Sequence, residues 1–168
     1  ITNSGVITKN ATGNITSTGA FSTTGDVKLA ANITTTDTNL TIGGNLVIAE
    51  AATPTLSTGA GTAGNVTVTG TTNGTAGGVA ETLTVQAGTG TVTFTGNVGN
   101  NTDALELEAL TLTNAAATTF SGTLDLANAL TQTNAATGAT TFTGAVSVGS
   151  ASLKGTSYAI NNSFASGG

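Results

Sequence analysis

The sequence predicts an all-β fold, a parallel β-helix (β-solenoid) with coils of about 22–26 residues. Two observations support this fold: a short motif recurs at near-constant spacing, and apolar residues alternate with polar ones around each copy. The composition agrees with strands, because Thr and Val suit β-sheets whereas Thr and Gly weaken helices. The 24 glycines and many asparagines then supply the turns.

The repeated motif reads Thr, a large apolar residue, any residue and Gly. Its apolar residue recurs at three equal intervals and then at a slightly shorter one. In a β-helix each coil returns the chain to the same place one strand further on, so equal spacing stacks like residues. We therefore expect a core column, which one more of the shorter intervals would extend to Phe164. The column comprises Ile42, Val68, Phe94, Phe120 and Phe142.

Each copy of the motif predicts three short strands joined by three corners. The motif glycine predicts a tight turn, because Gly tolerates positive φ. These turn glycines are Gly44, Gly70, Gly96, Gly122 and Gly144. A second apolar pair follows the turn at alternating positions, as in Leu46 and Ile48, and a third alternating stretch comes later, as in Leu83 and Val85.

The whole chain, residues 1–168, is predicted to be a single β-solenoid repeat domain, less regular over residues 1–40 and clearly repeated over residues 41–168. It begins in mid-pattern without a signal peptide, so we expect a fragment or a processed subunit of a longer protein. The main alternative is an antiparallel β-sandwich, since Gly-centred turns between alternating strands also suit hairpins. The equal spacing argues against a sandwich, whose strands have no reason to recur at one interval.

The composition excludes several functional classes. The formal net charge is −5, the chain has no Cys or His, and its three basic residues are all lysines. Because His is absent and the eight acidic residues are scattered, we predict no enzyme and no cofactor. An acidic chain without a basic patch predicts no nucleic-acid partner. No apolar run approaches the roughly 20 residues of a spanning helix, which predicts no membrane insertion.

The densest acidic group is the one candidate metal site, for Ca²⁺. It comprises Asp103, Glu106 and Glu108. The two glutamates alternate with leucines and are expected on one face of a strand, where carboxylate oxygens suit Ca²⁺. The alternative is a solvated outer face that keeps a low-charge rod soluble. The absence of the Gly-Gly-x-Gly-x-Asp repeat of calcium-binding β-rolls favours that alternative.

Thr-x-Thr pairs are frequent, and regular arrays of such pairs on solenoids resemble those of ice-binding proteins. An array of that kind needs one pair per coil in strict register. Successive pairs begin at residues 67, 82, 91 and 111, which is an uneven series. The sequence therefore argues against an in-register array, and ice binding is a secondary hypothesis.

Residues 91–98 (Thr-Val-Thr-Phe-Thr-Gly-Asn-Val) and 118–124 (Thr-Thr-Phe-Ser-Gly-Thr-Leu) resemble the repeats of filamentous-haemagglutinin-like and autotransporter-type bacterial adhesins. The resemblance covers most of the chain from about Thr41 onward. It implies a right-handed β-helix that is secreted or exposed at the bacterial cell surface. It also implies a role in adhesion, biofilm matrix or fibre building, and it brings no catalytic residues.

We therefore expect a non-catalytic extracellular structural or adhesive repeat protein, such as a surface adhesin shaft, a biofilm matrix component or a fibre subunit. Because neither end carries an obvious cap, we expect the chain to self-associate end to end or to continue in a longer chain. Glycans or host-surface ligands are the other expected partners. The alternative function is a binding module for ice or polysaccharide on a Thr-rich solenoid face.

Overall fold

The computed structural model describes residues 1–10, 13–61, 64–75, 80–100, 106–133 and 138–167. All regular secondary structure in these residues is β-strand, which confirms the predicted all-β class. No helix long and apolar enough to cross a membrane occurs in them. The 20 strands are β1 (Thr2–Asn3), β2 (Ile7–Lys9), β3 (Ile15–Ser17), β4 (Phe21–Thr23), β5 (Val27–Leu29), β6 (Ile33–Thr35), β7 (Leu40–Ile42), β8 (Leu46–Ile48), β9 (Thr55–Ser57), β10 (Val66–Val68), β11 (Thr72–Asn73), β12 (Thr82–Gln86), β13 (Thr91–Phe94), β14 (Leu107–Asn114), β15 (Ala117–Phe120), β16 (Leu124–Gln132), β17 (Ala139–Phe142), β18 (Val146–Ser152), β19 (Tyr158–Ile160) and β20 (Phe164–Ser166).

The strands form three sheets, which the chain visits in turn. Sheet 1 contains β1, β4, β7, β10, β13, β15, β17 and β19 in spatial order; sheet 2 contains β2, β5, β8 and β11; sheet 3 contains β3, β6, β9, β12, β14, β16, β18 and β20. Every pairing between these strands is parallel. This arrangement confirms the predicted parallel β-solenoid and shows that the antiparallel sandwich is wrong.

The second face of the solenoid continues beyond β11 without a separate strand. Val98 forms isolated bridges to Thr72 on one side and to Leu124 on the other. Leu124 opens β16, whose 9 residues run on into sheet 3. A register shift between Leu126 and Ala129 interrupts this long strand. In the C-terminal coils, one bulged strand therefore joins the second and third faces.

The coils have equal length in the middle of the stack and are shorter at both ends. The number of residues between register partners in sheet 1 is constant from Leu40 through Val66 and Val92 to Thr118. The next interval, from Thr118 to Thr140, is shorter. The first two coils, which run from Thr2 to Ser22 and on to Thr41, are shorter again, and so is the last, from Thr140 to Tyr158. The predicted range of 22–26 is therefore correct for the middle and too long for the ends, which explains the irregular pattern over residues 1–40.

The differences in coil length lie in two of the three corners. The corner between the first and second faces has three residues in every coil. Its copies are residues 4–6, 24–26, 43–45, 69–71, 95–97, 121–123, 143–145 and 161–163. The corner before sheet 3 varies, for example from the three residues 30–32 to the six residues 49–54, and the corner after sheet 3 varies from the two residues 115–116 to the eight residues 58–65. Sheet 1 and the turn that follows it therefore keep a constant spacing.

The five residues of the predicted core column lie in one column of sheet 1. Val68 pairs with Ile42 and Phe94, and Phe120 pairs with Phe94 and Phe142. All five side chains are at most 1% exposed. The ring of Phe120 stacks almost parallel between its two neighbours, with centroid distances of 5.4 and 5.3 Å. Besides the burial of apolar area, each stacked pair contributes about 0.5–1.5 kcal/mol.

The predicted extension of this column to Phe164 is wrong. Ile160 pairs with Phe142, whereas Phe164 pairs with Val146 on the next face. The last coil is shorter than the one before it, so the interval that leads from Phe120 to Phe142 does not apply. Phe164 still contacts Phe142, because the two rings meet edge-on with centroids 5.5 Å apart.

The five predicted turn glycines lie in the three-residue corner, but the reason for glycine differs from the prediction. None of the five has a positive φ. A Cβ atom added at Gly70 would lie 2.5 Å from the carbonyl oxygen of Gly44, and one at Gly96 would lie 2.4 Å from that of Gly70. At Gly144 the distance to the Gly122 oxygen would be 2.2 Å. Glycine is therefore needed because the backbones of successive coils approach closely at this corner.

Side-chain amides link successive coils at the corners. Asn39 Oδ1 accepts a hydrogen bond from the backbone N–H of Asn65 at 3.0 Å, and Asn65 Oδ1 accepts one from the N–H of Thr91 at 2.9 Å. At the next corner, Asn45 Oδ1 accepts from the N–H of Thr71 at 3.0 Å. Each of these asparagines thus satisfies a backbone donor one coil further on.

Candidate binding surface

The outward side of sheet 1 carries a column of hydroxyl side chains, one in each strand of the sheet from β4 to β17, and Ala159 takes this position in β19. Thr67 pairs in register with Thr41 and Thr93, and the same register continues to the following coils. We name this column the inner row; it comprises Ser22, Thr41, Thr67, Thr93, Thr119 and Thr141. Each member lies between two buried positions of its strand and is itself half-buried, so its side chain points outward.

A second outward column lies two residues beyond the inner row, at the first residue of the three-residue corner that follows sheet 1. The backbone N–H groups of Thr69 and Thr95 donate to the carbonyl oxygens of Ile42 and Val68, each at 2.9 Å, so the parallel ladder extends to this column. We name it the outer row; it comprises Thr24, Gly43, Thr69, Thr95, Ser121 and Thr143. Its threonines and Ser121 are exposed, and the half-buried Gly43 leaves one position of the row without a side chain. The inner and outer rows together form the threonine face.

The sequence argument against an in-register array is wrong for sheet 1. The pairs that begin at residues 67, 93 and 141, and the related pair Thr119 and Ser121, occur once per coil in register. The uneven series mixed different faces, because the pairs that begin at residues 82 and 111 lie in β12 and β14 of sheet 3. The signal was present in the repeated motif, whose first and third positions are the two rows of the threonine face.

The threonine face is uncharged, and its hydroxyl groups are available to a ligand. The strands of sheet 1 contain no Asp, Glu or Lys among the residues that the structure describes. In that same part of the chain, none of the hydroxyls of the two rows hydrogen-bonds to another residue. Each threonine presents a methyl group beside a hydroxyl that can both donate and accept. The face therefore offers a regular pattern of hydrogen-bonding and apolar groups.

Sheet 3 carries a threonine column as well, but a less regular surface surrounds it. Thr84 pairs with Thr55 and Thr111, and Thr111 pairs with Thr131. Register shifts interrupt β12, β14 and β16 beside this column. Sheet 3 therefore presents one threonine column between irregular neighbours, whereas sheet 1 presents two adjoining rows.

The calcium candidate is only partly within the described residues, because Asp103 lies outside them. Glu106 comes just before β14 rather than within the strand, and Glu108 lies at a register shift of β14. Glu108 Oε1 accepts a hydrogen bond from Asn128 Nδ2 at 3.0 Å. Among the described residues no group of three or more His, Cys, Asp or Glu is arranged to hold a metal ion. The calcium site stays a prediction.

Sequence reasoning did not find a cleft on the second face, whose lining mixes polar and apolar residues. It has a volume of about 210 Å³ and is lined by Asn97, Asn100, Thr123, Asp125 and Ser147, among others. Asp125 is 8% exposed, and its Oδ2 atom has no hydrogen-bond partner among the described residues. A buried carboxylate oxygen without a partner destabilises a fold. Asp125 is therefore the least satisfied acidic group of the described surface.

Comparisons with protein-family models, curated proteins and solved structures found no match to this chain. The resemblance to adhesin repeats, and the functions that this resemblance implies, stay predictions. The geometry itself establishes a parallel β-solenoid that carries one uncharged threonine face in register.

Proposed function

We propose that this chain forms part of a non-catalytic extracellular β-solenoid with a structural or adhesive role, as in the shaft of a bacterial surface adhesin, a biofilm matrix or a fibre. The observation that carries the proposal is the unpaired strand edge at each end of the stack. A solenoid is lengthened by the addition of coils, because each coil contacts only its neighbours. Such coils can come from the same chain or from a second copy.

Both ends of the stack have the properties of a surface that accepts another coil. Among the described strands, β1, β2 and β3 at one end and β19 and β20 at the other pair on one side only. Unpaired edges present N–H and C=O groups that pair readily with an added strand. The core also reaches the ends: Ile160 is 50% exposed, although Phe142, its partner in the column, is fully buried. Ile1 and Val6 are exposed at the opposite end.

The proposed mechanism is geometric. The eight strands of sheet 1 are separated by about 4.8 Å each, which makes a rod roughly 34 Å long. Its uncharged threonine face offers many weak hydrogen bonds to glycans or to neighbouring rods. A location outside the cell is supported by the absence of Cys and by the Thr- and Asn-rich composition, which suit proteins that cross membranes unfolded.

Size-exclusion chromatography with light scattering, over a wide range of protein concentrations, tests end-to-end association. We expect the mass to rise with concentration. Ile160→Lys should reduce association because it places a charge on the exposed end, whereas Thr131→Lys, on the side of the stack, should not. A chain that stays monomeric at every concentration contradicts end-to-end association, and so does an equal effect of the two substitutions.

A further inference from the structure

We propose that the threonine face binds ice, that is, an ordered lattice of water molecules. Three properties of the face lead to this ligand: a regular spacing in two directions, hydroxyl groups without hydrogen-bond partners in the part of the chain that the structure describes, and strands without charged residues. Among the described faces, only the outward side of sheet 1 combines all three.

The spacing of the face repeats in two directions. Successive coils place like side chains about 4.8 Å apart. The two rows are two residues apart where the ladder hydrogen bonds continue into the corner, which corresponds to about 6.6 Å. The inner row has threonine in five consecutive coils, from Thr41 to Thr141, so the regular part is roughly 19 Å long. A small molecule would occupy only one or two of these positions. A ligand that is itself periodic, as a water lattice is, can occupy all of them together.

The fold holds these hydroxyls in place before any ligand binds. The inner row alternates with the core column, whose stacked rings keep successive coils in register. The corner that follows has three residues in every coil, so the spacing does not drift along the stack. Threonine is also stiff at χ1, because it is branched at Cβ. Little side-chain entropy is therefore lost when the face meets a rigid lattice.

Each contact with the lattice is weak, and their number makes the binding strong. A hydroxyl that exchanges liquid water for lattice water gains little, because even a hydrogen bond inside a protein has a net value of only about 0.5–1.5 kcal/mol. On a rigid lattice the contacts form together, so translational and rotational freedom is lost only once. Charged side chains on the face would hold their own hydration shells and compete with the lattice. The charged side chains of the described residues lie instead in corners or on the other two faces.

A polysaccharide is a less suitable ligand for this face. Sugar rings stack on aromatic side chains that have an exposed surface. Phe94, Phe120 and Phe142 point into the core and are at most 1% exposed. Tyr158 pairs with Thr140 in the last coil and lies outside both rows. The threonine face therefore lacks an aromatic platform.

The test uses the full chain in an assay of ice recrystallisation and in observation of growing ice crystals. We expect the wild-type chain to inhibit recrystallisation and to shape the crystals. Thr93→Tyr should abolish both effects, because a ring in the middle of the inner row holds the lattice away from its neighbours. The matched control is Thr111→Tyr, at a half-buried threonine that lies between Thr84 and Thr131 on sheet 3. This control should keep both effects.

Circular dichroism checks that the variants fold. If Thr93→Tyr does not fold, Thr95→Lys in the exposed outer row takes its place. A wild-type chain without either effect on ice overturns the proposal. Equal loss of the effects on ice in Thr93→Tyr and Thr111→Tyr overturns it as well.

Sedimentation with microcrystalline cellulose and chitin tests the other ligand class. If the wild-type chain has no effect on ice but binds one of these polymers, and Thr93→Tyr removes that binding, the face is assigned to a polysaccharide. Ice binding does not depend on end-to-end association, so the two proposals fail separately.

Discussion

Phe120 is the residue whose loss tests the stacked core most directly. Its side chain is 1% exposed, and its ring lies between those of Phe94 and Phe142 at 5.4 and 5.3 Å. Truncation of a buried Phe to Ala costs about 3–5 kcal/mol through lost burial and the cavity that remains. The two lost ring pairs add about 0.5–1.5 kcal/mol each. We therefore expect Phe120→Ala to lower the free energy of unfolding by about 4–8 kcal/mol.

Substitution by Leu separates ring stacking from burial. Phe120→Leu removes the stacked pairs but keeps most of the apolar volume. Phe21→Leu makes the same change at an equally buried position, where the register partner is Leu40 instead of another ring. We expect Phe120→Leu to be the more destabilising of the two by about 1–3 kcal/mol, the value of two ring pairs.

Urea denaturation followed by far-UV circular dichroism measures these differences. The wild-type chain and the three variants are compared at one protein concentration, because association at the ends would change the apparent stability. A loss below about 2 kcal/mol for Phe120→Ala would refute the view that this ring is central to the core. Equal losses for the two Leu variants would refute the contribution of ring stacking.

Three further substitutions test the corners and the cleft. Gly96→Val should cost at least about 1–3 kcal/mol, because a Cβ atom there lies 2.4 Å from a backbone oxygen of the preceding coil, whereas Gly19→Val, with open space around it, should be tolerated; thermal unfolding compares them. Asn65→Ala should cost about 0.5–1.5 kcal/mol, since the Thr91 N–H loses its acceptor, and amide hydrogen exchange at Thr91 should become faster. Asp125→Asn should raise Tm, because an amide costs less to bury than a carboxylate whose Oδ2 atom has no partner; a lower Tm contradicts that reasoning.

The parallel solenoid was predictable because a periodic motif allows only one way of stacking its large residues. The short coils at the ends were not predictable from the motif. Either of the two inward positions of a three-residue strand can carry the large side chain, so the motif need not recur at a fixed place in the coil. In β4 the ring of Phe21 stands at the position of Leu40, and Thr23 takes the place that Ile42 has in the next coil. The Thr23 hydroxyl donates to the carbonyl oxygen of Gly25 at 2.6 Å, which satisfies it inside the core.

The threonine face could have been found in the sequence, and the cleft could not. Residues in register are separated by one coil length, so a search at the interval of the repeated motif finds Thr67, Thr93 and Thr119 together. The cleft around Asp125 is built from three successive coils, with Asn97 before it and Ser147 after it. Its burial depends on how those coils pack, which no local pattern records.

The two variable corners determine how such a rod can acquire new chemistry. Residues 58–65 show that the corner after sheet 3 accommodates six residues more than its shortest copy, residues 115–116, while sheet 1 keeps its register. Connections between strands generally tolerate changes in length. Loops with aromatic or charged side chains can therefore be grafted at these corners without changing the register of the threonines on sheet 1. The same scaffold can then display one recognition site that varies and one lattice of hydroxyls that does not.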